Sequence, residues 1–252
     1  MVMNGRLLGL KNIFSLYRLR LNLMFRNAVL VIPIVATFVF LEAMYSVIPI
    51  QVSGSFLISG IFLFVVCIYI SQSIQQREND IQEEVMLLHS KSPECFYISR
   101  ELVSLSIVAA FTILLIFWPV IKYVLNDSTF SRPLKMSDVI YGGIIIVVNG
   151  LCGVAVGDFF HQRFIYKRRS RLIAVVFVSI ISICKHSLIQ KFVFLKFLNF
   201  LLPPIMDGAD MVGNADIFDG KGTMIILMHS IIYVVVLTII KIQILNYRKF
   251  SD

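Results

Sequence analysis

Apolar residues in this chain fall into six long runs separated by short polar breaks. The runs occupy about residues 28–48, 55–74, 102–125, 138–160, 172–189 and 223–245. A helix needs about 20 apolar residues to cross a bilayer core, so the pattern predicts an all-α integral membrane fold with six transmembrane helices. In and just after the first run, Pro33 and Pro49 are placed to kink or end it. It joins the second through Gln51–Gly54, a connection that makes the two a tight hairpin. Trp118 and Tyr123 suit an interfacial aromatic belt at the end of the third. The fifth, Leu172–Cys184, is short and reaches Ile189 only if Lys185 snorkels.

The polar breaks carry patterns of their own. In residues 7–24, Lys11, Ser15, Arg18 and Asn22 recur on one side of a helix, and Leu10, Phe14, Tyr17, Leu21 and Met24 on the other. That arrangement predicts an amphipathic helix lying in the membrane interface. The break 77–100 places Ile81, Val85 and Leu88 at i, i+4, i+7, with Glu78, Gln82, Glu83 and His89 projecting elsewhere. Pro93 would end that helix. A short helix with an apolar stripe between two spans is a docking surface for a soluble partner. Leu188–Pro204 mixes large apolar residues with Lys191, Lys196 and Asn199 and stops at Pro203-Pro204. It predicts an interfacial or re-entrant outer segment, which together with the Gly- and Asp-rich loop to 222 precedes the last span. The loop aspartates Asp207, Asp210, Asp216 and Asp219 fit no calcium-loop spacing and read as a solvated loop.

Composition agrees: 58% of residues are hydrophobic and 15% charged, against roughly a quarter charged in soluble domains. The net charge of +8 does not point to nucleic acid, because the positive residues cluster at span ends. With six spans, sixteen of the 23 Lys and Arg residues fall on the side that holds both termini and the 77–100 segment. The positive-inside rule puts that side, with both termini, in the cytoplasm, so the expected location is a cell membrane crossed several times. The four cysteines have no metal or redox spacing.

Catalytic motifs test poorly. Gly220-Lys221 lacks the glycine and hydroxyl that a phosphate loop needs, since Ala215 and Gly222 stand there. Glu83-Glu84 could open an intramembrane metalloprotease motif, but Leu88 occupies the arginine position and no histidine follows a phenylalanine at four residues. No enzyme activity is expected of this chain. Among polar residues inside runs, Glu42 and Asp158 lie near span ends, where snorkelling accounts for them. Asn149 and His229 are the candidates for lining a pathway, and they are too few for an ion- or proton-coupled carrier, the alternative reading. Gly150, Gly153 and Gly157 form a small-residue surface for helix packing or a dimer face.

With these features in place the chain resembles the membrane-spanning permease subunit of type-2 ABC transporters, close in character to antimicrobial-peptide export and immunity permeases. The likeness rests on the entry helix 7–24, the 77–100 segment with Glu78, Glu83, Glu84, Leu87, Leu88, Lys91, Ser92, Pro93 and Arg100, and the broken outer region before the last span. Where the family often has Gly-Thr, this chain has Asp80-Ile81-Gln82. The resemblance implies a passive pathway for a peptide or amphiphile. The docking set would be Glu78, Ile81, Glu83, Glu84, Val85, Leu87, Leu88, Pro93 and Arg100, with Leu10, Lys11, Phe14, Arg18 and Leu21 on the entry helix as a second contact. It also implies two ATP-binding subunits, which bring the ATP and magnesium, and a second permease chain, like or identical, to complete the path.

Overall fold

The computed structural model describes residues 2–26, 28–77, 93–161, 163–192, 196–209 and 216–247. Its helices are α1 (Val2–Arg26), α2 (Val31–Met44), α3 (Val52–Arg77), α4 (Pro93–Leu125), α5 (Met136–Phe159), α6 (Arg168–Lys191), the single turn α7 (Leu198–Leu201) and α8 (Gly220–Tyr247). No strand occurs among the described residues. Five helices, α3, α4, α5, α6 and α8, are long and apolar enough to cross a membrane. The chain is an integral membrane protein.

The first run is a correction to the sequence reading. Residues 28–48 do not form one span: the helix covers only Val31–Met44, 14 residues, or about 21 Å at 1.5 Å per residue, against a core of about 30 Å. Ala28 sits at φ 53°, which ends α1, and α2 leaves at 70° to it. Pro33 is tolerated in the first turn of α2, while Pro49 disfavours helix in the residue before it. A sixth crossing therefore exists only if the bent pair α1–α2 counts as one. Pro93 opens α4, where its missing amide is unneeded at a first helical position; the helix expected before it lies outside the described residues. The fifth run is likewise longer than expected, with α6 covering 24 residues.

α5 is the axis of the bundle. It packs along α3, and α4 and α8 flank it. The α3–α5 approach is close because glycines line it: a Cβ on Gly153 would lie 2.4 Å from Phe64 O, and one on Gly157 2.8 Å from Ser71 Cβ. Gly150 faces Leu63 and Val108 at 2.9 Å. Gly150, Gly153 and Gly157 are thus consumed inside the chain and offer no face to a second copy. α1 lies against α4, with Tyr17 Oη 2.8 Å from Ser106 Oγ. Its buried side is Arg20 and Met24 with Tyr17 and Leu21 half-buried, while Phe14, Ser15, Arg18 and Asn22 are exposed. Phe14, expected on the apolar stripe with Tyr17, is 67% exposed. α2 and α6 pack least.

Candidate functional site

Three helices of the core, α3, α4 and α5, together with α8, come together at one end of the bundle, the end that holds Arg77, Pro93 and the 160–167 turn. There a polar cluster lies buried. Asp158, in the last turn of α5, is 2% exposed. Its carboxylate accepts from Ser71 Oγ, from Gln75 Nε2 at 3.1 Å and from Lys241 Nζ at 3.2 Å, and lies 3.6 Å from the Arg100 guanidinium. Lys241 also pairs with Glu101, and Arg100 Nη1 is 3.2 Å from His161 Nε2. Gln72 Nε2 donates to Gly157 O at 2.5 Å. One carboxylate of α5 thereby joins α3, α4, α8 and the turn that follows α5.

Among the described residues the cluster sets two cations against two carboxylates. Arg100 and Lys241 are 3% and 2% exposed, and they face Asp158 and the partly exposed Glu101. Buried ions persist only when paired and hydrogen-bonded, and these are. Burial first, then the nearby Arg100 and Lys241, hold the His161 imidazole well below its usual pKa, so it stays neutral beside the two cations. Snorkelling, the expectation for Asp158, is corrected: the side chain turns inward. The buried ionisable set thought absent is present at this end.

The opposite end is stitched by loop residues. Ile50 N donates to Thr129 O at 3.0 Å and Ser131 N to Ile50 O at 2.9 Å. Asp216 caps α3, accepting from Val52 N at 2.8 Å and Ser53 N at 2.9 Å, and Arg132 Nε donates to its carbonyl at 3.0 Å. Arg132 is bidentate on Asp138 at 2.7 and 2.9 Å, and that hydrogen-bonded carboxylate pushes its pKa further up. Asp219 caps α8 through Lys221 N and Gly222 N. The solvated-loop reading therefore fails for Asp207 and Asp216, which are half-buried and held by side-chain and backbone partners; Asp219 is exposed while it caps α8, and Asp210 lies outside the described residues. Glu42 pairs with Lys122 at 3.0 Å on the surface.

Between the ends, residues 202–209 dip into the bundle. Leu202, Pro203, Pro204, Ile205 and Gly208 are buried, and Ile205 shares a core cluster with Phe64, Ile68, Cys152, Val156 and Val175, all interior positions of long helices. Irregular backbone at that depth is tolerated because protein surrounds it. Asn149 Nδ2 reaches Ile205 O at 3.4 Å. Lys185, 1% exposed, pairs with Asp207 at 2.9 Å, so it turns inward and does not snorkel as expected. Asn149 thus packs the re-entrant segment, and half-buried His229 makes no hydrogen bond with it.

Of the residues read as a docking set, Glu78, Ile81, Glu83, Glu84, Val85, Leu87 and Leu88 lie outside the described residues, as do the side chains of Leu10 and Lys11. Arg100 is inside the charge cluster, buried, and presents no docking surface; Pro93 begins α4. Ser71, Gln75, Lys241 and Lys185 were missed. A usable signal existed: Arg100, Asp158 and Lys241 lie at the same end of three different runs with opposite signs. Among the described residues no His, Cys, Asp and Glu side chains group as a metal site. No family model, no characterised protein and no solved structure matches the chain.

Proposed function

We propose that this chain is the transmembrane permease subunit of an ATP-driven exporter of the type-2 ABC class. In this reading residues 78–92, on the cytoplasmic side, dock a separate ATPase, whose two copies supply ATP and magnesium chemistry, and a second permease chain completes the path for a peptide or amphiphile. One observation carries the reading: the two helices that flank 78–92, α3 and α4, are bound to α5 and α8 by the Asp158 charge cluster at the end where that segment joins them. A push on the segment would then move four helices as a unit, which is what coupling between two states demands. The test is a mild-detergent pull-down of tagged protein from its native host, with ATPase activity assayed in the eluate. A stoichiometric ATPase, lost on Leu88→Asp with Glu83→Lys and Glu84→Lys, is the expected result. Absence of any ATP-binding subunit overturns the reading.

A second reading, a gradient-coupled carrier, is favoured by the same cluster, because buried ionisable groups mark ion and proton paths in membranes. It expects uptake into vesicles that follows an imposed proton gradient without ATP and is lost in Asp158→Asn.

A further inference from the structure

α6 stands off the bundle, and a cleft of about 740 Å³ separates it from α2 and α3, within the range of a small-ligand site. Its walls are apolar for most of their length, among them Val65 and Tyr69 of α3 and Val176 and Ile180 of α6. At the charge-cluster end the lining changes to Gln72, Ser73, Gln76 and Arg168. Arg168 is exposed, and among the described residues no carboxylate meets it. Gln72 is 3% exposed; its Nε2 is used up on Gly157 O and Phe160 O, while its Oε1 is buried without a hydrogen-bond partner.

We infer that this cleft binds an anionic phospholipid of the surrounding bilayer, one whose headgroup combines a phosphate with hydroxyl donors. The phosphate would take Arg168, headgroup hydroxyls would meet the Ser73 and Gln76 side chains that line the same end, and an acyl chain would run along α6 towards Ile183. From Arg168 to Ile183 is about 22 Å of helix, longer than the about 15 Å of one leaflet's hydrocarbon, so the cleft has room for an acyl chain of its own leaflet. Arg168 lies at the end of the bundle where the positive-inside rule places the cytoplasm, and basic residues there attract anionic lipid. The site would hold α6 in place where protein contacts are few, and it does not depend on the ATPase reading.

The test uses the full chain in nanodiscs of phosphatidylcholine with 20% phosphatidylglycerol (roughly the anionic share sufficient to compete). Protein is stripped into mild detergent, and retained lipid is read by native mass spectrometry. Phosphatidylglycerol should be enriched over phosphatidylcholine. Arg168→Gln should cut that enrichment about fivefold, the effect of roughly one membrane-surface cation. Val176→Trp, which fills the cleft and leaves the headgroup residues alone, should abolish it while the protein keeps its size-exclusion profile. Equal enrichment in all three proteins means annular lipid only and overturns the inference. So does a disulfide-linked dimer through Ile180→Cys in high yield, which would show a second copy occupying the cleft.

Discussion

Asp158 is the residue on which the core should depend most, because it is the one member of its cluster bound by every other helix there. Changing Asp158→Asn keeps the shape and removes the charge. Arg100 and Lys241 then both lose the carboxylate that lies between them, and Lys241 keeps the partly exposed Glu101. Breaking a buried ion pair from one side costs about 3–5 kcal/mol. For a domain of this size each kcal/mol moves Tm by about 2–4 °C, so the variant should melt about 6–20 °C lower. Lys241→Met should cost less: Arg100 still balances Asp158, Ser71 and Gln75 still donate to it, and Glu101 can turn to water. The double variant Asp158→Asn with Lys241→Met removes one charge of each sign and should recover part of the loss, with a coupling of about 0.5–3 kcal/mol. The assay is thermal unfolding in detergent followed by fluorescence-detected size exclusion. If Asp158→Asn melts within 2 °C of the parent, or the two changes simply add, the cluster is not the tie argued here.

Three further outcomes follow from other parts of the structure. His161 is held neutral in the folded state by burial and by Arg100 and Lys241, with Arg163 also raising the cost of charge and Asp158 opposing it. The folded pKa is thus below the unfolded value near 6.5, so stability is full above about pH 6.5 and falls as pH drops below it, by up to about 1.4 kcal/mol per pH unit; melting curves from pH 7.5 to 5.5 should show the decline, and His161→Gln should flatten it. Gly153→Ala would drive a methyl into Phe64 O at 2.4 Å, a backbone atom that cannot swing away, at about 1–3 kcal/mol; Gly54→Ala, whose nearest neighbour is at 3.5 Å, is the control and should melt no lower than the parent. Asp216→Ala strips the cap from Val52 and Ser53 and should cost about 0.5–2 kcal/mol, read as faster proteolysis of the 45–51 and 126–135 loops in intact membranes.

Hydropathy alone located the long helices, because the 20-residue apolar run is a local property: α5 was expected at 138–160 and spans Met136–Phe159. Pro203-Pro204 after a mixed apolar stretch marked a break in the helical pattern, but that residues 202–209 pack against the core was not legible from it. Nor was the charge cluster. Its members stand 83 to 87 residues apart along the chain where they meet Asp158 from Ser71, Gln75 and Lys241, and each alone looks like a charged or polar residue at the end of a span. Only the three-dimensional stacking of four span ends tells a solvated charge from a buried one. Lys185 failed for the same reason, because a partner in an irregular loop has no period to read. The break at Ala28 depends on one residue's left-handed backbone, which apolar composition cannot encode.

The distribution of polar ties divides the molecule by what can move against what. α3, α4, α5 and α8 are joined by the Asp158 cluster at one end, and at the other the caps of Asp216 and Asp219 and the Arg132–Asp138 pair hold α3, α5 and α8 to the loops. A helix in lipid gains no hydrophobic energy from leaving lipid for protein, so packing and such polar ties are what hold a bundle in register. Lys185 of α6 pairs with Asp207, which belongs to the buried stretch 202–209 rather than to a long helix. That pair links α6 to residues 202–209 and through Ile205 to Asn149 on the central helix. A conformational cycle in this protein would be carried by α6 and the re-entrant segment moving against a fixed four-helix core, and α2, packed nearly as loosely on the other wall of the cleft, is the element free to follow.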